Sequence, residues 1–284
     1  MKGQAQPLAH GLYVVATPIG NLEDLGFRAL RVLREANWVA AEDTRETRKL
    51  LDHYGVNATL HSLHEHSTRA RVDELVTSLA NGGTGAYVSD AGTPGLCDPG
   101  AELVKACVAA NIPVYPIPGA SAPLALLSVG GFSESSFTFQ GFFPREKKER
   151  EAWGIAAAAA GGLQLFFESP HRIQGALAFL AERFPEANLI VGRELTKRFE
   201  TITRGTCAEV LAAIGTEEPR GEYALAILLP PPTDKAGLSA EEIGALVKEL
   251  AALGAPQKAL LRAAMSHGMR KNEAYKLSLE SLEK

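Results

Sequence analysis

V-S-D-A-G-T-P-G, residues 88–95, sets two glycines and a proline directly behind an apolar run and leaves one carboxylate, Asp90, in the turn. The run itself, T-G-A-Y-V-S at 84–89, is short and apolar, as a buried strand is. Beyond the turn, Asp98 and Pro99 supply an N-cap and a first-turn proline for a helix reaching about Asn111. The turn therefore falls at the carboxyl end of a strand, where open α/β sheets bind ligands, and its glycines let backbone approach a small molecule closely. A plain connecting turn has the same composition.

A second turn of this kind opens the chain. L-Y-V-V-A at 12–16 reads as a strand, T-P-I-G-N-L-E-D-L at 17–25 follows it, and a helical pattern runs on through Arg34. Pro18 and Gly20 stand where a nucleotide-binding fold carries glycines, yet G-x-G-x-x-G is absent here and G-x-x-x-x-G-K-[ST] is absent throughout. A Rossmann dinucleotide site and a P-loop are both excluded, so the expected ligand is not read through its phosphates.

Apolar runs at 12–16, 38–42, 58–62, 84–89 and 113–117 alternate with helical patterns, which predicts a doubly wound α/β domain. A second set lies at 137–142, 163–168, 188–192, 198–203 and 223–229, with helices at about 146–160, 170–183 and 207–214. The last of these opens on a capping box, T-C-A-E from Thr206. The runs at 188–192 and 198–203 are joined by so short a link that they predict an antiparallel pair in a mixed sheet. After P-P-P-T-D-K-A-G at 230–237 come three short helices: Ser239 caps the first, Pro256 starts the second, and Gly268 precedes a third from about Arg270. The fold class expected is α/β, two α/β domains with mixed sheets at 1–131 and 132–230, plus a helix-turn-helix-like unit at 238–284. That unit fits nucleic-acid binding, a packing appendage or a dimer clasp equally well.

Cys97, Cys107 and Cys207 have no C-x-x-C spacing, which argues against a disulfide framework or a zinc site. M-K-G-Q-A-Q-P-L at the start lacks an apolar signal core, and no run approaches the roughly 20 apolar residues of a membrane span, so a cytoplasmic protein is expected. The net charge of -4 sits awkwardly with a nucleic-acid partner. Its distribution matters more: residues 256–284 carry six Lys or Arg against three Glu, and R-E-K-K-E-R at 145–150 is a second basic cluster. Solvated helix faces have this composition too.

Four motifs together, T-P-I-G-N-L-E-D-L, A-E-D-T-R at 41–45, V-S-D-A-G-T-P-G-L-C-D-P-G at 88–100 and P-I-P-G-A-S-A at 116–122, resemble the tetrapyrrole-methylase superfamily. F-E-S-P-H-R at 167–172, R-E-L-T-K-R-F-E at 193–200 and G-E-Y-A-L at 221–225 are similar to its RNA-directed branch. Ala120, Phe167 and Ser67 depart from that pattern, standing where proline, tyrosine and asparagine are frequent. The resemblance implies an S-adenosylmethionine enzyme with the cofactor in the interdomain cleft. Its implied substrate is 16S rRNA within the 30S subunit, where a cytidine ribose in the decoding centre is methylated on its 2'-hydroxyl. Two-domain relatives of this kind are commonly homodimers.

Carried over by motif position, the implied cofactor contacts are Pro18, Ser89, Asp90, Ala91, Gly92, Thr93, Ser121, Ala122 and Phe167. The implied RNA contacts are Arg145, Lys147, Lys148, Arg172, Arg193, Arg270 and Lys271. Methyl transfer to a hydroxyl needs in-line approach and loss of a proton, and positioning alone contributes about 7–11 kcal/mol against about 3–5 for a general base. The candidate bases are Lys197 and Glu194, with His64 and Glu65 behind them. As a base Lys197 needs a lowered pKa, and a structural salt-bridge turn is the competing account of R-E-L-T-K. H-S-L-H-E-H at 61–66 lacks the further ligands of a metal site, so no metal is expected. Asp43 and Arg45 either fix a loop or face the cleft, His171 and Arg172 after Pro170 either meet an RNA phosphate or are solvated at a helix start, and Trp153 is expected in a core. Two other functions stay open: methylation of a corrinoid or porphyrin precursor, whose acidic substrate calls for a cationic cleft, and RNA binding without catalysis.

Overall fold

The computed structural model describes residues 7–64, 67–95, 100–216, 218–230, 240–252, 257–266 and 269–282. The first sheet comprises β1 (Gly11–Val15), β2 (Trp38–Ala41), β3 (Leu60–Ser62), β4 (Thr84–Val88) and β5 (Val114–Ile117), ordered β3-β2-β4-β1-β5. β1 pairs in parallel with β4 and β5, and β2 with β3 and β4. Strands buried on both faces should be apolar at every position rather than at alternate ones, and W-V-A-A of β2 is fully buried along its length. Val39 and Ala41 face one core with α1 (Phe27–Glu35) and α2 (Thr44–His53). Trp38 and Ala40 face the other, with α3 (Arg69–Ala80) and α4 (Gly100–Ala109). Each buried Leu or Val contributes about 1.5–3 kcal/mol to these layers.

This winding fixes where a ligand binds. The chain leaves β1 for α1 on one face and leaves the adjacent β4 for α4 on the other. The loops after β1 and β4 therefore diverge at the carboxyl edge, which is the crevice open α/β sheets use.

The second sheet holds β6 (Phe137–Phe142), β7 (Gly162–Glu168), β8 (Asn188–Arg193), β9 (Thr201–Thr206) and β10 (Tyr223–Leu229), ordered β6-β7-β10-β8-β9. It is mixed: β6 and β7 are parallel, whereas β8 is antiparallel to both β9 and β10. Between its strands the chain forms α6 (Lys147–Ala160), whose residues from 151 on belong to a separate unit, α7 (Ile173–Arg183) and α8 (Cys207–Ile214). The capping box of α8 forms as expected, Thr206 and Glu209 each bonding the other's backbone N–H. One core, including Leu126 of α5 (Ala122–Ser128), Leu165, Ile190 and Ala226, carries Ile19 and Ala122 against the second sheet. The two sheets thus belong to one compact unit, residues 1–150 with 163–229.

The antiparallel β8/β9 pair occurs, but the second strand begins three residues later than the predicted 198–203. Residues 194–200 are used by a tight loop in which Glu194 (φ 52°) and Thr196 (φ 67°) are left-handed. A second unit comprises residues 151–162 with 230–284. Its α9 (Ala240–Ala252), α10 (Gln257–Ser266) and α11 (Lys271–Glu280) bury Ile243, Val247, Leu260, Ala264 and Ala274 together. Ile243 and Val247 sit four apart on one helical face, as an amphipathic stripe requires. Trp153 is half-buried. Asp98, Pro99, Ser239, Pro256 and Gly268 lie outside the described residues. Among the described residues no helix is long and apolar enough to cross a membrane.

Candidate functional site

The loops after β1 and β4 are stapled to each other by backbone. Thr17 N–H donates to Gly92 C=O at 2.9 Å and Gly92 N–H returns the bond to Thr17 C=O at 3.1 Å. Thr93 Oγ1 donates to Ala120 C=O at 2.9 Å, drawing in the loop after β5. Asp90 Oδ1 accepts the Asp43 N–H at 2.9 Å, drawing in the loop after β2. Four strand ends are therefore locked by short polar contacts, and Gly92, with both backbone groups engaged, offers shape rather than hydrogen bonds. It is left-handed at φ 82°, and a Cβ there would lie 3.2 Å from Ile19 Cγ2 and 3.6 Å from Ala120 O. Only glycine keeps that approach open without strain.

A cavity of about 440 Å³ opens above these loops. Its lining includes Ser89, Asp90, Ala91, Gly92, Thr93, Ser121, Ala122 and Phe167, eight of the nine positions expected to contact a cofactor. The ninth, Pro18, is not in the lining, but its neighbour Ile19 is. The opposite wall comes from the second sheet: Phe142, Phe167, Glu168, Ser169 and Pro170 on one side, Leu195, Glu222, Tyr223 and Ala224 on the other. Phe167 packs edge-on to Phe139 and Phe142, with centroids 5.0 and 5.8 Å away, which makes an aromatic shelf. The volume lies in the range of small-molecule pockets, about 300–1,000 Å³.

The charge of the lining is one-sided. Glu42, Asp90, Glu168 and Glu222 face the cavity, and none of the described lining residues is Lys, Arg or His. Two of these carboxylates have cations behind them. Glu168 is wholly buried, and its Oε1 takes the Ser169 N–H at 2.6 Å, Arg172 Nε at 2.7 Å and Arg172 Nη2 at 2.6 Å. Its Oε2 and Arg172 Nη1 have no partner, an uneven arrangement for a pair that is usually bidentate. Arg172 also donates to Phe143 C=O at 2.9 Å. Expected to meet RNA, Arg172 is instead turned inward to brace the loop after β7; its ion partner stands four residues earlier, across the Ser169-Pro170 turn.

The second carboxylate is Glu222, whose Oε2 lies 2.8 Å from Lys197 Nζ; the same Nζ lies 2.9 Å from Glu194 Oε1. Neither Lys197 nor Glu194 lines the cavity, whereas Glu222, which no motif reasoning singled out, does. Burial pulls the Lys197 pKa down, but hydrogen bonds and charge from Glu222 and Glu194 outweigh it and the net shift is upward. That is opposite to the lowered pKa a free-amine base requires: Lys197 is held as an ammonium. Glu194 is held as a carboxylate, its pKa lowered chiefly by the Lys197 hydrogen bond. The salt-bridge turn weighed for R-E-L-T-K is present, and it stands directly behind the cavity wall.

The remaining positions are dispersed. Asp43 caps α2 and binds Arg45 through its side chain, which lowers its pKa to about 2, so this pair fixes the loop after β2. Arg193 donates to Arg220 C=O at 3.0 Å. Arg145, Lys147 and Lys148 are exposed at the start of α6, and Arg270 and Lys271 are exposed at the start of α11. His171 is exposed. His64 N–H donates to Ser67 Oγ at 2.8 Å, while Glu65 and His66 lie outside the described residues. Among the described residues no cluster of three His, Cys, Asp or Glu is placed to hold a metal ion.

Comparison with known proteins places this cavity in context. Residues 11–211 match the family described as Tetrapyrrole (Corrin/Porphyrin) Methylases. The chain is similar to the ribosomal RNA small subunit methyltransferase I of Neisseria meningitidis serogroup B, 43% identical over 94% of this chain and 92% of that protein. Its counterpart in Escherichia coli O157:H7 is 40% identical over 95% and 94%. Among solved structures, the uroporphyrin-III C-methyl transferase from Thermus thermophilus, complexed with S-adenyl homocysteine, superposes with a TM-score of 0.52 at 16% identity. It covers 76% of this chain and 96% of that one, and shows the shared fold.

Proposed function

Since the chain belongs to the tetrapyrrole (corrin/porphyrin) methylase family, in its ribosomal RNA small subunit methyltransferase I branch, we propose that it methylates a ribose 2'-hydroxyl of 16S rRNA. The methyl donor in this reading is S-adenosylmethionine, and the acceptor is a cytidine of the decoding centre. The observation that carries it is the acidic lining of the cavity, Glu42, Asp90, Glu168 and Glu222 without a basic side chain among the described lining residues. Such a wall favours a cationic cofactor and repels the multiple carboxylates of a porphyrin or corrin precursor.

The residues present suit the cofactor. The path over Gly92 is one that a Cβ would obstruct, and the lining mixes an aromatic shelf with a few polar groups, as small-molecule sites do. Asp90 to Thr93 would hold its amino-acid and ribose parts, and Ser121, Ala122 and Phe167 the adenosine, with Pro18 shaping the loop beneath. When bound, the cofactor supplies an electrophilic methyl on a sulfonium. The chain's own work is to place the acceptor hydroxyl in line, exclude water and take up the proton. The acidic lining also keeps phosphates out, so the RNA backbone is held outside the cavity by exposed basic residues, with Arg145, Lys147 and Lys148 around the start of α6 as phosphate contacts and Arg270 and Lys271 at the start of α11 as further ones.

Transfer of labelled methyl to 30S subunits and to naked 16S rRNA, followed by nuclease mapping, tests this. Label in an alkali-resistant dinucleotide is the expected result. Cofactor binding without label in RNA would overturn the reading and favour a small-molecule acceptor.

A further inference from the structure

Resting on that reading and going beyond it, we propose that Glu222 is the proton acceptor of the transfer, a catalytic residue oriented by Lys197 and Glu194. Among the described residues four carboxylates line the cavity. Asp90 is tied to the Asp43 N–H and stands on the wall assigned to the cofactor. Glu168 has no exposed side-chain surface and is committed to Arg172. Glu42 is half-buried at the end of β2, on the Asp90 wall. Glu222 alone among them rises from the second sheet with its side chain 79% exposed, open both to a bound hydroxyl and to bulk water.

The loop beneath it is built to aim that carboxylate. The β8/β10 register, Arg193 opposite Tyr223, brings residues 194 and 222 together across the strand ends. Glu194 N–H donates to Glu222 C=O at 2.9 Å, and Glu222 N–H donates to Glu194 Oε1 at 3.0 Å. Lys197 then bridges the two carboxylates. The arrangement requires Glu194 and Thr196 to be left-handed, and for a β-branched threonine that is a strained conformation, of the kind that clusters at functional sites. Gly221 is left-handed as well, at φ 76°, and a Cβ there would lie 2.4 Å from Glu194 Oε1. A carboxylate fixed by an ammonium that a second carboxylate fixes in turn is the base-and-orienter pattern of activated sites.

In the step itself, the acceptor oxygen forms its bond to the methyl carbon as the carbon–sulfur bond breaks and its electron pair returns to sulfur. The hydroxyl proton passes to the Glu222 carboxylate and leaves through its exposed side to water. Lys197 keeps its proton throughout.

The test uses the full chain, S-adenosylmethionine and 30S subunits. Glu222→Gln is expected to leave the cofactor dissociation constant unchanged by calorimetry while the single-turnover rate falls by roughly 10²–10⁴-fold. Formate added to Glu222→Ala should restore part of the rate, which a purely structural residue would not allow. A Glu222→Gln rate equal to wild type overturns the proposal, as does a loss that appears only in the KM for RNA. If wild-type protein labels no ribose, the substrate reading has failed; if wild type labels ribose and Glu222→Gln does so equally well, only the role of Glu222 has.

Discussion

The two walls of the cavity are made of different material. On the first sheet's side the contacts are backbone and short side chain: Thr17 with Gly92, Thr93 with Ala120, Asp90 with the Asp43 amide. On the second sheet's side they are charges and rings: Glu194 and Glu222 on Lys197, Glu168 on Arg172, Phe142 and Phe139 on Phe167. A wall of backbone fixes shape, which suits holding a cofactor that must be exchanged every turnover. A wall of paired charges fixes protonation states and the direction of carboxylates, which suits the acceptor's proton. Under the proposed function the first wall serves binding and the paired charges of the second serve the proton, with Phe167 the binding residue of the second wall, and substitutions on each side can break or sharpen that division.

The largest effect is expected at Gly92→Val. A β-branched residue at φ 82° is strained, and its side chain fills the path over Ile19 and Ala120. The strain lowers fold stability by about 1–3 kcal/mol with or without ligand, and the filled path costs binding about 1–3 kcal/mol more, so cofactor affinity should fall by roughly 5- to 150-fold. Calorimetry that finds wild-type affinity would remove the loop from the binding wall. Next is Glu168→Ala, which strands Arg172 beside a buried wall; breaking such a pair costs about 3–5 kcal/mol, and each kcal/mol lowers Tm by about 2–4 °C in a chain of this class. An unchanged melting temperature would mean that the pair is not a brace.

Smaller and more selective is the change expected for Arg270→Ala with Lys271→Ala. RNA affinity should drop across all sequences, and the slope of log affinity against log salt should shallow by about 1 to 2, with the cofactor constant untouched. A slope that does not move would leave α11 with packing alone. The smallest concerns Asp43. Its folded pKa, about 2, lies below the ordinary 3.8, so the stability it adds is present above the ordinary value and is lost as pH falls through about 2. The melting-temperature gap between wild type and Asp43→Ala should therefore hold above about pH 4 and close in acid. A gap independent of pH would assign it to something other than the Arg45 pair.

The first wall could be read from the chain because its information is local. D-A-G-T-P-G carries its own turn chemistry and each strand's run is continuous; the capping box at Thr206 and Glu209, though in the second sheet's half, is legible for the same reason because it spans four residues. Much of the second wall could not. Glu222 meets Glu194 and Lys197 only through the β8/β10 register, which nothing in R-E-L-T-K or G-E-Y announces. The start of β9 differs from the run at 198–203 for a related reason: the loop that turns at the left-handed Glu194 and Thr196 extends to Glu200, whose carboxylate accepts the Thr196 N–H at 2.6 Å, and Phe199 is 69% exposed. Arg172 looked like a surface cation because it follows proline at a helix start, and only the fold reveals Glu168 beneath it.

The division between the walls is tested most directly by titrating S-adenosylmethionine into Lys197→Ala by calorimetry, on a preparation whose turnover is measured alongside. The account expects a dissociation constant close to wild type with turnover lost, since the Lys197 ammonium aims Glu222 and only its aliphatic stem, packed on Gly20, meets the loop after β1. Weakened cofactor binding in parallel with turnover, or turnover equal to wild type, would contradict it.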